Sequence, residues 1–336
     1  MAYVTIRDVA REAGVSVAAV SQILHDKGRF SDETRKLVRD TVESMGYVPD
    51  QRARSMRSSE TKTVGLLVPD LRNPYFADLV SSMEDELYRR GFTTLIGSSG
   101  ESVERQDSFI ENLLGQRIDG AIVVPQGVDS PGVESLVRRS LPLVFVDRRV
   151  PSVDSVPFVV SDPYPGIRSA VAELMRLGHR RIGYVSHPAL GSFSVNEREV
   201  AFRAITGELL ADGETIVVNC DATYESRQRA LDELAESGMS AVVFAYSPDA
   251  ITMLGLMTDR GLEVGADMSV VSFDDIAAFT MMTPSVSVIS QQAETMGRQG
   301  VELLMRQLAG DGEAVAGTQY VPTVFIARKS TGSVLR

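Results

Sequence analysis

Three short amphipathic segments open the chain. Ile6, Val9, Ala10 and Ala13 recur at helical spacing, and Thr5 with Asp8 three positions on has the form of a reciprocally capped helix start. Gly14 ends this helix where a left-handed backbone is needed. Ser16 then caps a second helix, with Val17, Val20 and Ile23 at helical spacing and Leu24 beside them. A third helix is predicted over about 32–45, capped by Ser31 and stopped by Gly46. Two short helices across a glycine turn form the helix-turn-helix pattern. Small Ala10 lets the helices approach, and Val9, Ala13, Val15, Val20 and Ile23 fill the seam.

From Thr63 the pattern changes. Apolar runs at 64–68, 93–97, 120–124 and 143–146 alternate with amphipathic stretches at 75–90 and 102–114. The series restarts near 156–160, with apolar runs at 182–185, 216–218, 241–245 and 269–273 and helical stretches at 165–177, 198–210, 225–236 and 248–260. Continuous apolar strands between amphipathic helices predict parallel sheets covered on both faces. Two such runs predict an α/β body of two similar lobes, with ligands at the carboxyl ends of the strands in the cleft between them.

A length of 336 residues suits two or three domains. The net charge of -11 argues at first against nucleic acid, but its distribution does not. Residues 1–62 hold eleven basic and nine acidic residues, a balance of +2, and the remainder carries -13. A basic module on an acidic body keeps the body off nonspecific DNA, although charge alone fits a solvated face as well. The single cysteine, Cys220, reads as a buried structural thiol and suits a reducing compartment. The start, Met1 to Asp8, has no signal-peptide pattern, and no run reaches the roughly 18 apolar residues of a membrane span, so a cytoplasmic protein is expected.

In a helix-turn-helix the second helix enters the major groove. Its outward residues include Val17 and Ala18, which can touch thymine methyls, and Gln22, which can bind adenine N6 and N7. Ser16, Ser21, Thr34 and Arg35 are better placed for phosphates. After Gly46, Pro49 and Asp50 look like a helix start, but the following segment is too short and polar to be stable alone. It reads either as a hinge that folds on DNA, with Arg52 and Arg54 for the minor groove and Met56 as an apolar wedge, or as a plain flexible linker. Catalysis finds little support. Phosphate-loop, dinucleotide and zinc-protease motifs are missing, and the histidines are His25, His179 and His187. His179, at a predicted helix end, reads as a cap, and neither a metal cluster nor a cofactor is expected.

These segments together resemble the lactose-repressor/galactose-repressor family over essentially the whole chain. The resemblance rests on residues 5–16 (Thr-Ile-Arg-Asp-Val-Ala-Arg-Glu-Ala-Gly-Val-Ser), on Val20-Ser21 and on Tyr47-x-Pro49. In the body it rests on Gly65-Leu66-Leu67-Val68-Pro69, Asn73-Pro74-Tyr75-Phe76, Arg117-Ile118-Asp119-Gly120, the run from Leu177 to Ile182, and Ser272-Phe273-Asp274-Asp275. It implies an α/β protein with a three-helix DNA-binding domain over 1–46, Thr5 among its DNA-contacting residues, and a hinge over 47–61. It also implies a body like periplasmic sugar-binding proteins, with one lobe from 62–160 and 292–321 and the other from 161–291 and 322–336. The partners it implies are double-stranded palindromic operator DNA, a second copy of the chain, and a small-molecule effector. Its effector set, most like that of ribose-binding proteins, falls on Asn73, Tyr75, Phe76, Asp147, Arg148, Arg198, Asp274 and Gln291. Carboxylates and arginines fork vicinal hydroxyls while aromatics stack on a sugar's C–H face, so a pentose such as ribose is expected, with a nucleoside or purine as the alternative. A sugar-binding protein without DNA function is the rival from another class.

Three positions depart from the family pattern. Gln22 stands where arginine is usual, which implies a different operator sequence, and Met56 replaces a leucine wedge of similar bulk. Pro248-Asp249 replaces an asparagine-aspartate pair, which removes one polar contact. Without the C-terminal leucine heptads of the lactose repressor, a dimer is expected, not a tetramer.

Overall fold

Side-chain caps decide where the first helices begin. In the computed structural model, which describes residues 4–48, 60–190, 192–310 and 317–334, the Thr5 amide donates to Asp8 Oδ2 at 3.0 Å and Thr5 Oγ1 accepts from the Asp8 amide at 3.4 Å. This starts α1 (Ile6–Glu12), and Gly14 at φ +63 turns the chain toward α2 (Val17–Leu24). Ser16 and Ser31 Oγ accept from the amides of Ala19 and Thr34, opening α2 and α3 (Asp32–Ser44). Val9, Ala10, Ala13, Val20, Ile23 and Val38 close the core of this first unit, Met1–Thr61.

The second unit, Lys62–Arg336, holds two six-stranded sheets. In chain order its elements are β1 (Thr63–Val68), α4 (Pro74–Arg89), β2 (Thr93–Ser98), α5 (Val103–Gly115), β3 (Gly120–Val123), α6 (Pro131–Arg138), β4 (Leu143–Val146) and β5 (Phe158–Asp162). There follow α7 (Pro163–Arg176), β6 (Arg181–Ser186), α8 (Phe193–Leu209), β7 (Glu214–Asn219), α9 (Tyr224–Glu236), β8 (Ala241–Phe244), α10 (Ser247–Asp259) and β9 (Ser269–Phe273). The last are α11 (Ala277–Met281), β10 (Ser287–Ser290), α12 (Ala293–Leu308), β11 (Thr318–Pro322) and β12 (Val324–Ile326). The first sheet runs β11-β5-β4-β3-β1-β2, all parallel. The second runs β12-β10-β9-β8-β6-β7, parallel except that β12 is antiparallel to β10.

Alternation along each strand divides the core into layers. Leu66 and Val68 pack under α4 and α12, while Leu67 and Val123 pack under α5 and α6 on the opposite face. In the second sheet Tyr184, Val243 and Phe273 face α7 and α8, and Val185, Phe244 and Val270 face α9 and α10. Helices on both faces of mainly parallel strands are the architecture that the apolar runs predicted. No helix among the described residues is long and apolar enough to cross a membrane.

Several elements have weak sequence signals. α12 contains Gly297 and Gly300, poor helix residues, because Gly297 meets α4 closely and Gly300 lies against Val146 and Ile122 of the first sheet. A Cβ at 297 would stand 2.8 Å from Ser82 Oγ and 3.2 Å from the Leu79 carbonyl oxygen. β10 has serine at both ends and β12 only three residues.

The chain passes between the sheets three times, from β5 to α7, from β10 to α12 and from β11 to β12. Side chains tie these passages together. Thr323 Oγ1 donates to the Asp162 carbonyl at 2.7 Å and accepts from the Gly166 amide at 3.0 Å. Gln292, at φ +59, donates from Nε2 to the Pro322 carbonyl at 2.6 Å.

His179 does not cap a helix with its side chain. Its buried ring bridges Ser240 Oγ (Nδ1, 2.8 Å) and the Gly332 carbonyl (Nε2, 3.0 Å), fastening the C-terminal segment to the second sheet. Burial lowers the imidazole below its ordinary value of 6.5, so the unfolded chain binds this proton more readily than the folded one. The contribution is therefore complete above about pH 6.5 and falls as the pH drops below it. Thermal unfolding followed from about pH 7.5 to about pH 5 is expected to show this loss, flattened in His179→Gln. An equal slope in both proteins would assign the acid sensitivity to other groups.

Candidate functional site

At the carboxyl ends of the strands, local geometry places polar side chains between the sheets. After β1, Asn73 Oδ1 accepts the Tyr75 amide at 3.1 Å and Pro74 occupies the first helical position. Tyr75 and Phe76 are thereby set in the first turn of α4, edge to face at 5.1 Å. Asp147 follows β4 and Asp274 follows β9, each in the left-handed region, at φ +63 and +70. They occupy matching places, since β4 and β9 are the fourth strands of the two runs. Arg148 follows Asp147, Gln291 follows β10, and α8 carries Arg198. All eight side chains predicted for the effector lie in this unit, and none is more than 4% exposed. Asp147 and Arg148 are thus not a surface pair.

Hydrogen bonds join most of them. Tyr75 Oη donates to Asp147 Oδ1 at 3.1 Å, and Ser194 reaches the other carboxylate oxygen from the second lobe at 3.5 Å. Asp274 accepts from Gln291 Nε2 at 2.7 Å and from Ser247 Oγ at 2.8 Å. Gln291 Oε1 in turn accepts from Ser161 Oγ at 2.7 Å. Glu101 forks Arg148, with Nη1 and Nη2 at 2.7 and 3.0 Å from its oxygens. Arg198 Nη1 donates to the Ala245 carbonyl at 2.5 Å, and its guanidinium lies 4.4 Å over the Phe273 ring. The Nε atoms of Arg148 and Arg198 are buried without a hydrogen-bond partner, that of Arg148 at 3.9 Å from Asp147 Oδ2.

Burial pushes the Asp147 carboxyl up, against the pull of Arg198 and Arg148. Burial, with Asp147 and Asp274 nearby, pushes the Tyr75 phenol well up, so it stays a neutral donor. For Arg148 burial works against the charge, and the Glu101 carboxylate more than offsets this. Acceptor carboxylates beside unused N–H donors can bind a small polyhydroxylated molecule from several sides at once. Glu101, Ser161, Ser194 and Ser247 were not singled out by the sequence. The available signal was position, since Glu101 follows β2 and Ser247 opens α10 directly after β8.

A groove of about 730 Å³ lies elsewhere between the lobes, lined by Asp78, Asp85, Asp275, Glu294 and Arg298 among others. None of the eight predicted residues lines it. Burial and then Glu294 and Asp275 raise the Asp78 carboxyl, but its walls lack the buried donors that the cleft offers.

A second polar cluster joins residues that the sequence reading named but had no reason to group. His187, Cys220 and Asp249 are buried with their candidate ligand atoms within 4.8 Å of one another. No spacing rule joins them. The ends of β6 and β7 and the start of α10 bring them together. His187 Nδ1 lies 2.7 Å from Asp249 Oδ2, and Cys220 Sγ donates to the same oxygen at 3.2 Å. Arg227 Nε and Nη2 hold Oδ1 at 2.9 and 2.8 Å. With the carboxylate neutralised, the group forms a closed clamp on the strand ends. Burial, then the neighbouring Asp249, pushes the Cys220 thiol up, which leaves it unreactive.

On the first unit, α2 exposes Val17, Ala18 and Gln22 beside Ser16, with Ser21 half-buried and Val20 and Ile23 turned inward. Ser16 Oγ and Thr5 Oγ1 are engaged in caps, and Thr34 Oγ1 lies 2.8 Å from Ser31 Oγ. Arg35 is half-buried and donates to the Gly28 carbonyl at 2.8 Å, so part of its guanidinium is spent inside the module. Gln22 Oε1 lies against Gly28, where a Cβ would meet it at 2.7 Å. Arg52, Arg54 and Met56 lie outside the described residues.

Comparison with known proteins agrees with both units. Residues 5–50 match the bacterial regulatory proteins of the lacI family, and residues 171–331 match a periplasmic binding protein-like domain. Catabolite control protein A of Priestia megaterium is 30% identical over 308 residues, 91% of this chain and 92% of that protein. The ribose operon repressor of Bacillus subtilis is 30% identical over 332 residues, 97% of this chain and 98% of that protein. The lac repressor dimer bound to operator and an anti-inducer superposes with a TM-score of 0.83 at 24% identity, covering 99% of this chain and 100% of that one.

Breaking the buried clamp should be costly. Arg227→Ala leaves the Asp249 carboxylate buried without a cation and is expected to destabilise the second unit by about 3–5 kcal/mol in denaturant unfolding. Adding Asp249→Asn, which needs no counter-charge, is expected to return part of the loss. Stability unchanged in Arg227→Ala would mean that the ion pair contributes nothing.

Proposed function

Since the chain belongs to the lacI family of bacterial regulatory proteins, we propose that it is a repressor that binds a palindromic operator as a homodimer and releases or holds it according to a bound pentose, ribose or a close relative. It is a regulator and not an enzyme. The observation that carries the effector reading is the set of buried, partly unpartnered polar groups at the strand ends. Asp147 and Asp274 offer acceptors, Arg148 and Arg198 offer unused Nε donors, and Tyr75 and Phe76 supply the adjoining apolar wall. The full-length similarity to a ribose operon repressor supports a pentose in that place. The DNA reading rests on Val17, Ala18, Ser21 and Gln22 as base or backbone contacts, with Thr5, Ser16 and Thr34 near phosphates and Arg52, Arg54 and Met56 in the minor groove. A ligand held by both lobes favours one lobe arrangement, and DNA affinity follows through that differential binding. A nucleoside is the second reading, favoured by the Tyr75–Phe76 pair, which can cover a base ring as well as a sugar.

Calorimetric titration with D-ribose, uridine and adenine tests the effector. Heat from ribose is expected, with affinity at least about tenfold weaker in Arg148→Ala and in Asp274→Ala, because each removes a charge-assisted contact. Heat from uridine alone would move the effector to the second reading. Silence from all three would overturn both.

An operator selected from random sequence tests the DNA reading in a gel shift. Gln22→Ala is expected to relax the preference for adenine at one position per half-site by about 1–3 kcal/mol while leaving other positions unchanged. A uniform loss across sequences would instead make Gln22 a backbone contact.

A further inference from the structure

We propose that Glu101 sets the charge class of the effector. By clamping the buried Arg148 guanidinium from the exposed loop after β2, it makes the site accept an uncharged hydroxylated ligand and reject the phosphorylated or carboxylated form of the same molecule. The inference rests on the cleft being the effector site, as argued above.

A buried guanidinium is what a phosphate or carboxylate would seek, because its planar fork matches two oxygens at once. Arg148 is 3% exposed, and both of its terminal nitrogens are already taken by Glu101, at 2.7 and 3.0 Å. Glu101 is itself exposed, with 28% of its side chain accessible, but its backbone is held in place. It and Gly100 lie consecutively in the left-handed region, at φ +57 and +60. Both amides donate to the Pro69 carbonyl, at 2.7 Å from Gly100 and 3.3 Å from Glu101, which ties this loop to the end of β1. A glutamate held in a conformation that suits glycine is strained, and here the strained residue is the one that occupies the arginine.

Two further guanidiniums, one exposed beside the site and one buried in it, are also engaged. Arg72, one residue before Asn73, is held by its own acid, with Nε and Nη2 at 3.0 and 2.9 Å from the Asp70 oxygens. Arg198 gives Nη1 to the Ala245 carbonyl and its face to Phe273, and its charge is felt by Asp147. Among the described residues that build the predicted site, three carboxylates (Glu101, Asp147 and Asp274) thus stand against two guanidiniums (Arg148 and Arg198). With both terminal nitrogens of Arg148 taken, a further anion beside the buried Asp147 and Asp274 would meet negative charge without a free cation to offset it. Hydroxyl groups add none. They can donate to the aspartates and accept from the Nε atoms of Arg148 and Arg198, which have no hydrogen-bond partner.

The test uses the full chain and a probe that does not depend on which sugar is the effector. Melting temperature is followed as inorganic phosphate replaces chloride at constant ionic strength, for the natural protein, Glu101→Ala and Glu101→Gln. The natural protein is expected to show only the gradual rise that phosphate gives any folded protein, with no saturable response beyond it. Both variants are expected to be stabilised by phosphate, with affinity at least about tenfold above that of the natural protein, and Arg148→Ala added to either should abolish the response. Phosphate stabilisation of the natural protein that is lost in Arg148→Ala would overturn the proposal, as would variants that ignore phosphate. A second arm compares D-ribose with D-ribose 5-phosphate by calorimetry. The natural protein is expected to prefer ribose, and Glu101→Gln to shift the ratio toward the phosphate by at least about tenfold. An unchanged ratio overturns the proposal. Absence of ribose heat in every protein would instead sink the pentose reading, while the phosphate titration would still decide the role of Glu101.

Discussion

Taking charge out of water between two lobes is the constraint on which the rest of the cleft depends. Asp147 and Asp274 are nearly inaccessible, and a buried carboxylate needs partners or it gives up its charge. The fold answers with one device used twice. The fourth strand of each run ends in an aspartate whose backbone bends into the left-handed region, so that the carboxylate sits among donors from the neighbouring loops. Backbone strain of this kind costs on the order of 1–3 kcal/mol per residue and persists where the surroundings over-determine it. Here the surroundings are Tyr75 and Ser194 for one aspartate, and Ser247 and Gln291 for the other.

The large features of the fold were legible because they rest on local periodicity. Thr5, Ser16 and Ser31 announced three helices, and the apolar runs announced buried parallel strands with helices on both faces. The reading thinned where residues serve long-range packing. The glycines of α12 weaken a helical pattern in order to admit α4 at Gly297 and the first sheet at Gly300, and β10 and β12 are too short to carry a pattern at all. The eight cleft residues came from resemblance to a family, and the structure gathers them in one unit. Their supporting partners were out of reach, because Glu101 meets Arg148 and Ser161 meets Gln291 only after strands distant in sequence have paired. The same reason hid the clamp of His187, Cys220, Asp249 and Arg227, and it turned His179 from an expected helix cap into a fastener for the C-terminal segment.

The cleft and the joint between the lobes share parts. Ser161 is the last but one residue of β5, just before the chain leaves the first sheet, and Gln291 follows β10 just before it returns. The hydrogen bond between them therefore links two of the three passages and, through Gln291, reaches Asp274. The third passage is fastened to its neighbours by Thr323 and Gln292. Whatever disturbs the Asp274 carboxylate therefore acts on the segments that join the two lobes.

That braided joint also has a consequence for synthesis. The first sheet takes its outer strand, β11, from near the end of the chain, and the second takes its outer strand, β12, immediately afterwards. A growing polypeptide can close the three-helix unit early, yet it cannot finish either sheet until translation has passed Pro322. Until then β5 stands as an unprotected edge, with Val159 and the backbone of Phe158 to Asp162 open to pairing with another nascent chain. The two lobes therefore receive their last strands almost together, from one short stretch of chain.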